Sequence, residues 1–419
     1  MPAANGHHRI VIVGGGFAGL KCAVDLAPHS TLHITLLDRN NYQQFQPLLY
    51  QVATSILSPS NAAFALRDIL RGHHNVDIHM DEAVSIDLTQ RAVTTASGQT
   101  HTGDFLVLAT GSHVNYYGTP GAEQHSFPLY TLRDAETLRS TILKALEQAD
   151  NDPAAAADGR LNFVVVGAGP TGVELAGTLS DTLQRMLQSE FRNLDRTRPQ
   201  VFLVELGPSV LAMFSQASQQ YAASALQHHG VQLRLATSVT EVKPDSVTLS
   251  DGSHIPTRIV IWCAGLKAAT PTLLPEPPRL PNGRISVKDD LTIPGFPAVY
   301  ALGDIANAMD DSGKPLTQLA AVAKQAGQHC ALNILATVNG KPRTPFVYYD
   351  RGIVAMIGRN AAVTELGKEH HELTGPVAFI AWLGIHAALL TVARARMEAI
   401  VEWAWEYFTR EHSSQLIDR

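Results

Sequence analysis

The chain has 419 residues, and because a typical domain has about 150, it is long enough for two or three domains. Apolar residues make up 45% of it and charged residues only 17%, a composition that excludes a disordered or fibrous chain. Its net charge of −6 lacks the basic excess of nucleic-acid-binding proteins, so no nucleic-acid partner is expected. The three cysteines form no CxxC pair, which argues against a disulfide framework or a zinc ribbon and favours a reducing compartment.

The first predicted element is a strand that runs into a glycine-rich turn. Residues 10–13 are a short apolar run, and residues 14–19, GGGFAG, match GxGxxG. A helix is predicted over residues 20–26, followed by a strand over residues 32–37 that ends in Asp38. This is the βαβ setting of a dinucleotide-binding motif, whose glycines admit a pyrophosphate and whose acid binds ribose hydroxyls. The apolar run is too short for a secretory signal peptide.

A second copy of the motif follows in the middle of the chain. A strand over residues 162–166 precedes GAGPTG at residues 167–172, and a later strand ends in Glu205. The 33 residues from Gly172 to Glu205 exceed the usual ~20, and apolar residues at helical spacing predict one long helix there: Leu179, Leu183, Leu187, Phe191 and Leu194. A carboxylate at Glu205 would repel a 2′-phosphate, so this site should prefer NADH to NADPH.

For each copy, the alternative interpretation is a glycine turn that only packs a helix on a strand. Two copies in order, each followed by its acid, argue against that alternative. Two nucleotide sites in one chain indicate two cofactors that exchange electrons.

Three further buried strands end in residues suited to a cofactor site. They are followed by Thr110-Gly111, Ala264-Gly265 and Gly303-Asp304. We predict a helix start at Gly303-Asp304, where the helix end would hold a flavin phosphate and Asp304 a ribityl hydroxyl. Alternatively, Asp304 only caps that helix.

The carboxy-terminal region is unusually apolar. Residues 377–393 are 17 residues without a charge; as one helix they would reach about 25 Å, less than the ~30 Å core of a bilayer. Beyond them, two faces of a helix are predicted, one with Glu398, Glu402 and Glu406 and the other with Ile400, Trp403, Ala404 and Tyr407. We expect these helices to lie on a membrane surface. The alternative is a helix pair that packs on the body of the protein or across a dimer.

These residues together resemble the two-dinucleotide-binding flavoprotein superfamily, and within it most closely the type II NADH dehydrogenases, which are single-chain, non-pumping NADH:quinone oxidoreductases. Beside both glycine motifs, the resemblance rests on FQPLLYQVAT at residues 45–54, on VELAG at 173–177, on ALGD at 301–304 and on IGRNAAV at 357–363. It covers nearly the whole chain.

The resemblance implies an α/β fold with two Rossmann-like dinucleotide-binding domains, arranged as in glutathione reductase, and a helical membrane-anchoring segment at the carboxy terminus. The expected division is residues 1–120 and 295–344 for the FAD domain, 121–294 for an inserted NADH domain and 345–419 for the anchor. Within the inserted domain, a loop is predicted at residues 154–157, before the second glycine motif. The proline-rich residues 271–281 mark where the chain returns toward the FAD domain. The implied location is peripheral, on the cytoplasmic face of the inner membrane, and the apolar helices also permit a homodimer.

The implied chemistry is a hydride relay from NADH to FAD and then two electrons to a membrane quinone. The predicted cofactor-binding residues are Gly14, Gly16, Phe17, Ala18, Gly19, Asp38, Arg39, Gln46, Pro47, Leu48, Val84, Ala109, Thr110, Gly111, Gly303, Asp304, Ala320, Gly167, Gly169, Pro170, Thr171, Gly172, Val173, Glu205, Ala264 and Gly265.

At the quinone site the sequence departs from the family pattern. Family members usually carry Ala-Gln-x-Ala-x-Gln beside the flavin, whereas residues 320–325 are AAVAKQ. Ala321 therefore replaces the first glutamine and Gln325 keeps the second, which leaves the identity of the acceptor open. The related sulfide:quinone oxidoreductases need paired redox cysteines, and Cys22, Cys263 and Cys330 supply no evident pair.

Glu174 has two interpretations. The resemblance places its carboxyl near flavin and nicotinamide, where it would relay protons to the quinone. Alternatively, a glutamate in the first turn of a helix is favoured there by the helix dipole. The 18 histidines show no spacing typical of zinc ligands, and His386 is expected to be a core or interfacial side chain.

Two rival functions remain open at this point. One is a soluble NADH-dependent flavin reductase with another small molecule or a protein as acceptor, which Ala321 and the acidic tail favour. The other is a structural or signalling protein that binds nucleotides without turnover.

Overall fold

A computed structural model describes residues 7–152, 159–191, 193–195, 199–367, 369–410 and 415–417. The predicted loop at residues 154–157 lies outside these residues. The α-helices, in chain order, are α1 Phe17–Leu26, α2 Leu49–Ala53, α3 Pro59–Ala62, α4 Leu66–Ile69, α5 Ala122–His125, α6 Leu132–Asn151, α7 Pro170–Ser189, α8 Gln216–His228, α9 Ala320–Val338, α10 Gly375–Leu389 and α11 Ala393–Thr409.

Strands lie between these helices, often several in succession. They are β1 His8–Val13, β2 Leu32–Asp38, β3 Tyr42–Gln44, β4 Ala63–Ala65, β5 Val76–Met80, β6 Ala83–Asp87, β7 Ala92–Thr95, β8 Thr100–Thr102, β9 Phe105–Leu108, β10 Ser112–Val114, β11 Phe127–Pro128, β12 Asn162–Val166, β13 Gln200–Val204, β14 Val231–Arg234, β15 Val239–Val242, β16 Ser246–Leu249, β17 His254–Pro256, β18 Ile259–Trp262, β19 Leu266–Ala268, β20 Thr272–Leu274, β21 Ile285–Ser286, β22 Thr292–Ile293, β23 Phe296–Ala301, β24 Ala306–Asn307, β25 Gly352–Gly358, β26 Ala361–Leu366 and β27 His371–Thr374.

The chain divides into two compact units. Unit 1 comprises Met1–Gln44, Phe64–His113 and Leu266–Tyr349, and unit 2 comprises Phe45–Ala63, Val114–Gly265 and Asp350–Arg419.

Unit 1 is built on a six-stranded sheet of order β22-β23-β9-β1-β2-β5. All its neighbours are parallel except β22, which runs antiparallel to β23. Strand β1 is buried on both faces, because α1 and α9 pack on one side and the sheet β20-β6-β7-β8 supplies apolar residues such as Ile86 and Val93 to the other. Parallel strands covered on both faces are the typical core of a nucleotide-binding domain.

Unit 2 has a five-stranded parallel sheet of order β11-β18-β12-β13-β14. Helices α7 and α8 pack against it, and the antiparallel strands β15, β16 and β17 contribute to the core cluster around β12 and β18. The carboxy-terminal strands β25, β26 and β27 form an antiparallel sheet that contacts α7 and α10. At Gly177 of α7, an added Cβ would lie 1.5 Å from the carbonyl oxygen of Ile357, so this helix and sheet approach closely.

The two units differ from the predicted domain division most extensively in three places; in addition, residues 114–120 belong to unit 2 and residues 345–349 to unit 1. Residues 266–294 belong to unit 1 because β20 pairs with β6 and Leu273 lies in its core. Residues 45–63 belong to unit 2, where α2 packs on α6 and α7. The carboxy-terminal region packs on α7 and groups with unit 2 instead of forming a body of its own.

Several predicted helix limits were wrong. The long helix after the second glycine motif ends at Ser189, so Phe191 and Leu194 lie beyond it, although both are buried. The apolar run at 377–393 is not one helix, because α10 ends at Leu389 and α11 begins at Ala393. No helix among the described residues is both long and apolar enough to cross a membrane.

Candidate functional site

The first glycine turn, between β1 and α1, is shaped by close backbone contacts. Gly14 has φ +103°, and an added Cβ there would lie 2.3 Å from the carbonyl oxygen of Ala109. At Gly19 an added Cβ would lie 1.9 Å from the carbonyl oxygen of Gly14. Gly16 is different, because a Cβ there would meet nothing within 4 Å. The turn is therefore packed tightly on the inside and open over Gly16, where a pyrophosphate could approach the start of α1.

Asp38 ties the end of β2 to this turn. Its Oδ2 accepts the backbone N–H of Gly15 at 2.6 Å, and its Oδ1 accepts that of Asn40 at 2.7 Å. Burial raises the pKa of Asp38, while the two N–H donors oppose the rise. A carboxylate oxygen accepts more than one hydrogen bond, so each oxygen keeps capacity for a ribose hydroxyl.

The second glycine turn, between β12 and α7, repeats this arrangement. An added Cβ at Gly172 would lie 1.8 Å from the carbonyl oxygen of Gly167, whereas one at Gly169 would meet nothing within 4 Å. Glu205 at the end of β13 accepts the N–H of Ala168 through Oε2 and the N–H of Gly207 through Oε1, both at 2.7 Å. In both units, an acid at the end of the next strand therefore holds the middle of an open glycine turn.

The third predicted element is organised differently from the expectation. Gly303 has φ +68° and begins a single 3₁₀ turn, Gly303–Ile305, and the next α-helix starts only at Ala320. The predicted helix start at Gly303-Asp304 is therefore a single 3₁₀ turn and not an α-helix, because the chain continues into the short strand β24. The Asp304 carboxylate accepts the Ser112 hydroxyl at 2.6 Å and caps no helix. Ser112, next to the predicted Thr110-Gly111, was not expected from the sequence.

The other predicted cofactor residues are spread over both units. Phe17, Ala18, Arg39, Val84, Ala109, Thr110, Gly111 and Ala320 belong to unit 1, whereas Gln46, Pro47, Leu48, Pro170, Thr171, Val173, Ala264 and Gly265 belong to unit 2. The Thr110 hydroxyl donates to the carbonyl of Ala269. Oε1 of Gln46 is buried and has no hydrogen-bond partner among the described residues. A buried amide oxygen without a donor is a place where a ligand hydrogen bond would be favourable.

These geometries fit two dinucleotides. Each unit offers an open turn at a helix start and an acid for ribose hydroxyls, which are the features that FAD and NADH require.

Glu174 lies on α7 and is buried in unit 2, with 6% of its surface exposed. Its Oε1 accepts the backbone N–H of Met356 at 3.2 Å and the indole N–H of Trp382 at 3.0 Å. Burial raises the pKa of Glu174 to about 8, although both donors oppose the rise. Because α7 begins at Pro170 and has no acid in its first turn, the helix-dipole interpretation is wrong for this residue. A carboxyl protonated at neutral pH can hold and release a proton.

Buried aromatic residues surround Glu174. The Tyr50 ring meets the Trp382 ring edge to face, and Gln51 donates to the Tyr50 hydroxyl at 3.0 Å. Trp403 of α11 donates to Oε1 of Gln51 at 2.7 Å. His386 stacks on Trp382 at 3.8 Å between ring centroids, and burial lowers the pKa of His386 to about 4.

The expectation of His386 as a core side chain is confirmed, since it is 5% exposed. The residues that surround and bond Glu174 were not expected from the sequence. The available signals were the tyrosine and glutamine of the 45–54 motif and the tryptophan-rich end of the chain.

Gln325, predicted to meet the quinone, lies on α9 in unit 1. Its Nε2 donates to the carbonyl of Tyr349 at 2.9 Å, and its Oε1 accepts the N–H of Tyr349 at 3.0 Å. The Gln325 amide therefore holds the segment that follows α9 through two hydrogen bonds to Tyr349. Ala321, one turn earlier on α9, is half-buried.

The three cysteines are free thiols. Helices α1 and α9 pack together, and the buried Cys22 and Cys330 interact through their side chains, which the sequence did not indicate. Burial raises the pKa of Cys330 well above its usual range. Among the described residues, no group of three or more histidines, cysteines or acids could hold a metal ion.

Comparison with known proteins connects this geometry to a family. Residues 8–327 match the pyridine nucleotide-disulphide oxidoreductases. The chain is 35% identical to the type II NADH:quinone oxidoreductase Ndh of Mycobacterium tuberculosis, over 94% of this chain and 87% of that protein. It is 34% identical to NdhA of the same organism, over 99% of this chain and 90% of that protein.

Solved structures agree at the level of the fold. NDH2 of Plasmodium falciparum in complex with RYL-552 superposes with a TM-score of 0.89 at 17% identity, covering 97% of this chain and 100% of that one. The sulfide:quinone oxidoreductase of Aquifex aeolicus gives a TM-score of 0.72 at 18% identity, covering 97% and 96%.

The resemblance inferred from the motifs is therefore confirmed, and FAD and NADH, predicted from the two turns, are consistent with the family. The chain is an oxidoreductase that belongs to the type II NADH:quinone oxidoreductases, within the pyridine nucleotide-disulphide oxidoreductase family.

Proposed function

We propose that the protein oxidises NADH and passes two electrons, by way of bound FAD, to a membrane quinone without pumping protons. The observation that carries the proposal is the pair of open glycine turns, each held by an acid at the end of the following strand. When bound, FAD supplies the redox chemistry, accepting a hydride and releasing two electrons. The turn at Gly16, with Asp38 and Asp304, would hold FAD; the turn at Gly169, with Glu205, would hold NADH.

Glu174 is the residue we assign to proton delivery. A quinol carries two added hydrogens, whereas NADH brings one as hydride, so one proton must come from solvent. The raised pKa of Glu174, about 8, supports a carboxyl that stays protonated at neutral pH and can donate. The indole of Trp382 fixes Oε1 of this carboxyl and so orients the other oxygen.

The outer faces of α10 and α11 support attachment to a membrane surface. Seven large apolar side chains on these helices are more than a third exposed: Val377, Ile380, Met397, Ile400, Val401, Trp405 and Phe408. Such side chains favour the boundary between headgroups and acyl chains. The location we propose is peripheral, on the cytoplasmic face of the inner membrane, and the same face would also serve a homodimer.

A non-quinone acceptor is the alternative, and two observations favour it. Ala321 offers no amide to a quinone carbonyl, and the amide of Gln325 already bonds the backbone of Tyr349. A lost hydrogen bond of about 1 kcal/mol weakens a quinone site without abolishing it.

The deciding experiment is an absorption titration of the purified protein. We expect a flavin spectrum that NADH bleaches and that a short-chain quinone restores. Bleaching that quinone cannot reverse would leave a flavin reductase and overturn the quinone assignment. The variant Ala321→Gln restores the family amide, so it should raise quinone turnover while leaving NADH bleaching unchanged.

A further inference from the structure

A cavity of about 800 Å³ opens within unit 2, bounded by α7, β25, α10 and α11. One wall is apolar and includes Phe379, Leu383 and Trp403. Charged residues also line the cavity, among them Arg185, Arg359 and Arg410. The lining is therefore amphipathic. The two kinds of side chain meet at Tyr407, whose ring lies 4.5 Å from the Arg359 guanidinium and 6.2 Å from the Phe379 ring.

The lining has three arginines and two carboxylates, Asp181 and Glu406. Of the two lining carboxylates, Asp181 is engaged by His229 at 2.5 Å and by the N–H of Arg359 at 2.8 Å. Glu406 lies 3.9 Å from the guanidinium of Arg185. Hydrogen bonding to Asp181 raises the pKa of His229. Behind the lining, Glu190 accepts a hydrogen bond from Gln415.

Arg185 has unused donors. Its Nη1 donates to the carbonyl of Arg410, but Nε and Nη2 are buried and have no hydrogen-bond partner among the described residues. Burial lowers the pKa of Arg185; Glu406 and Glu190 oppose this shift, and Arg359 and Arg410 add to it. A buried guanidinium with free N–H groups, set among other cations, is stabilised by an anion.

Part of the apolar lining lies on the exposed face of α10 and α11. Ile380, Ile400 and Phe408 line the cavity and are also 70%, 46% and 83% exposed. An acyl chain could therefore lie along Leu383 and Trp403 and leave the protein at this face.

We propose that the cavity binds an anionic phospholipid, with its phosphate between Arg185 and Arg359 and one acyl chain along the apolar wall. A neutral quinone head needs one or two hydrogen bonds, whereas the lining presents permanent cations, and one of them, Arg185, has unused N–H donors. Such a group suits a phosphate. This inference rests on the proposed function in one respect: the lipid would come from the membrane to which the protein is proposed to attach.

The test is calorimetric titration of the flavin-loaded full chain in detergent, without NADH, quinone or vesicles. The ligands are lysophosphatidylglycerol, lysophosphatidylcholine of the same acyl chain, and glycerol phosphate. We expect lysophosphatidylglycerol to bind at least about tenfold more tightly than either of the others, because a charged hydrogen bond and the chain both contribute. Quinone-dependent turnover is measured separately, so a negative lipid titration would overturn this inference without overturning the proposed function.

Matched variants make the result specific. Arg359→Gln and Arg185→Gln should each remove the preference for the anionic lipid, and the first serves if the second fails to fold. Arg394→Gln is the control, since Arg394 lies on α11 outside the lining with its side chain 86% exposed. Equal affinities for both lipids, or equal binding of glycerol phosphate, would overturn the proposal.

Discussion

The indole Nε1 of Trp382 donates a hydrogen bond of 3.0 Å to Oε1 of Glu174 inside unit 2. A donor to the charged form of a carboxyl lowers its pKa, so Trp382 limits how far burial raises the pKa of Glu174. The pair therefore sets the pH at which this carboxyl loses its proton, close to 8.

Trp382→Phe should move the alkaline limit of quinone-dependent turnover upward. The phenyl ring keeps the contact with His386 but removes the N–H, so the pKa of Glu174 rises, by about one unit for one charged hydrogen bond. The measurement is kcat against pH from 6 to 10. Glu174→Gln is the matched control: it should lower turnover and abolish the alkaline limit, and an unchanged limit in both variants would remove the proton role of Glu174.

His386 should make the protein sensitive to acid. Its pKa is about 4 when folded against 6.5 when exposed, so between these pH values only the unfolded state binds the proton, and stability falls as pH decreases. The loss should reach about 3 kcal/mol by pH 4. Melting temperatures of His386→Phe should fall less steeply between pH 6.5 and 4 than those of the parent, whereas the exposed His371→Phe should follow the parent. Parallel curves for all three would contradict this.

The two glycine turns could be predicted from sequence because their geometry is local. The close contacts of Gly19 with Gly14 and of Gly172 with Gly167 lie within the motifs, so motif spacing encodes them. Gly14 and Gly167 also contact Ala109 and Ala264, which are distant in sequence. The surroundings of Glu174 could not be predicted in this way. Trp382 is 208 residues from Glu174, and neither side chain carries a periodic pattern that reveals the contact.

The ends of helices and strands also could not be predicted from the sequence. Gly303-Asp304 and the two glycine motifs all follow a strand and combine glycine with polar residues. Only the motifs lead into an α-helix, whereas Gly303 begins a single 3₁₀ turn. The difference lies in the next segment of the chain, because after Ile305 the short strand β24 pairs with β21. Such non-local pairing overrides local propensity.

Glu205 should control the choice between NADH and NADPH. Glu205→Ala removes a ribose partner and the charge that would repel a 2′-phosphate, so the NADH:NADPH ratio of kcat/KM should fall about tenfold or more. Because Glu205 also holds the turn through Ala168 and Gly207, Glu205→Gln, which keeps an acceptor oxygen, separates charge from structure. The half-exposed acid Glu241, which pairs with Lys243, offers a control as Glu241→Ala. No change in the ratio for either Glu205 variant would place the nicotinamide nucleotide elsewhere.

Gly177 should tolerate no side chain. A Cβ there would lie 1.5 Å from the carbonyl oxygen of Ile357, so Gly177→Ala must separate α7 from β25 and should cost about 3 kcal/mol or more. Gly384→Ala is the matched control on α10, since a Cβ there meets nothing within 4 Å and alanine in a helix gains about 0.5–1 kcal/mol. Urea unfolding of both variants measures the difference, and similar midpoints would contradict the close approach.

Trp405 and Phe408 should anchor the protein to lipid. They are 58% and 83% exposed on the same side of α11, and burial of one large apolar side chain contributes about 1.5–3 kcal/mol. Each change to serine should therefore weaken vesicle binding at least about tenfold, measured by flotation. Met80→Ser is the control, because Met80 is 64% exposed but belongs to unit 1. If all three variants float alike, the outer face of α11 does not meet the membrane and a dimer contact becomes its remaining explanation.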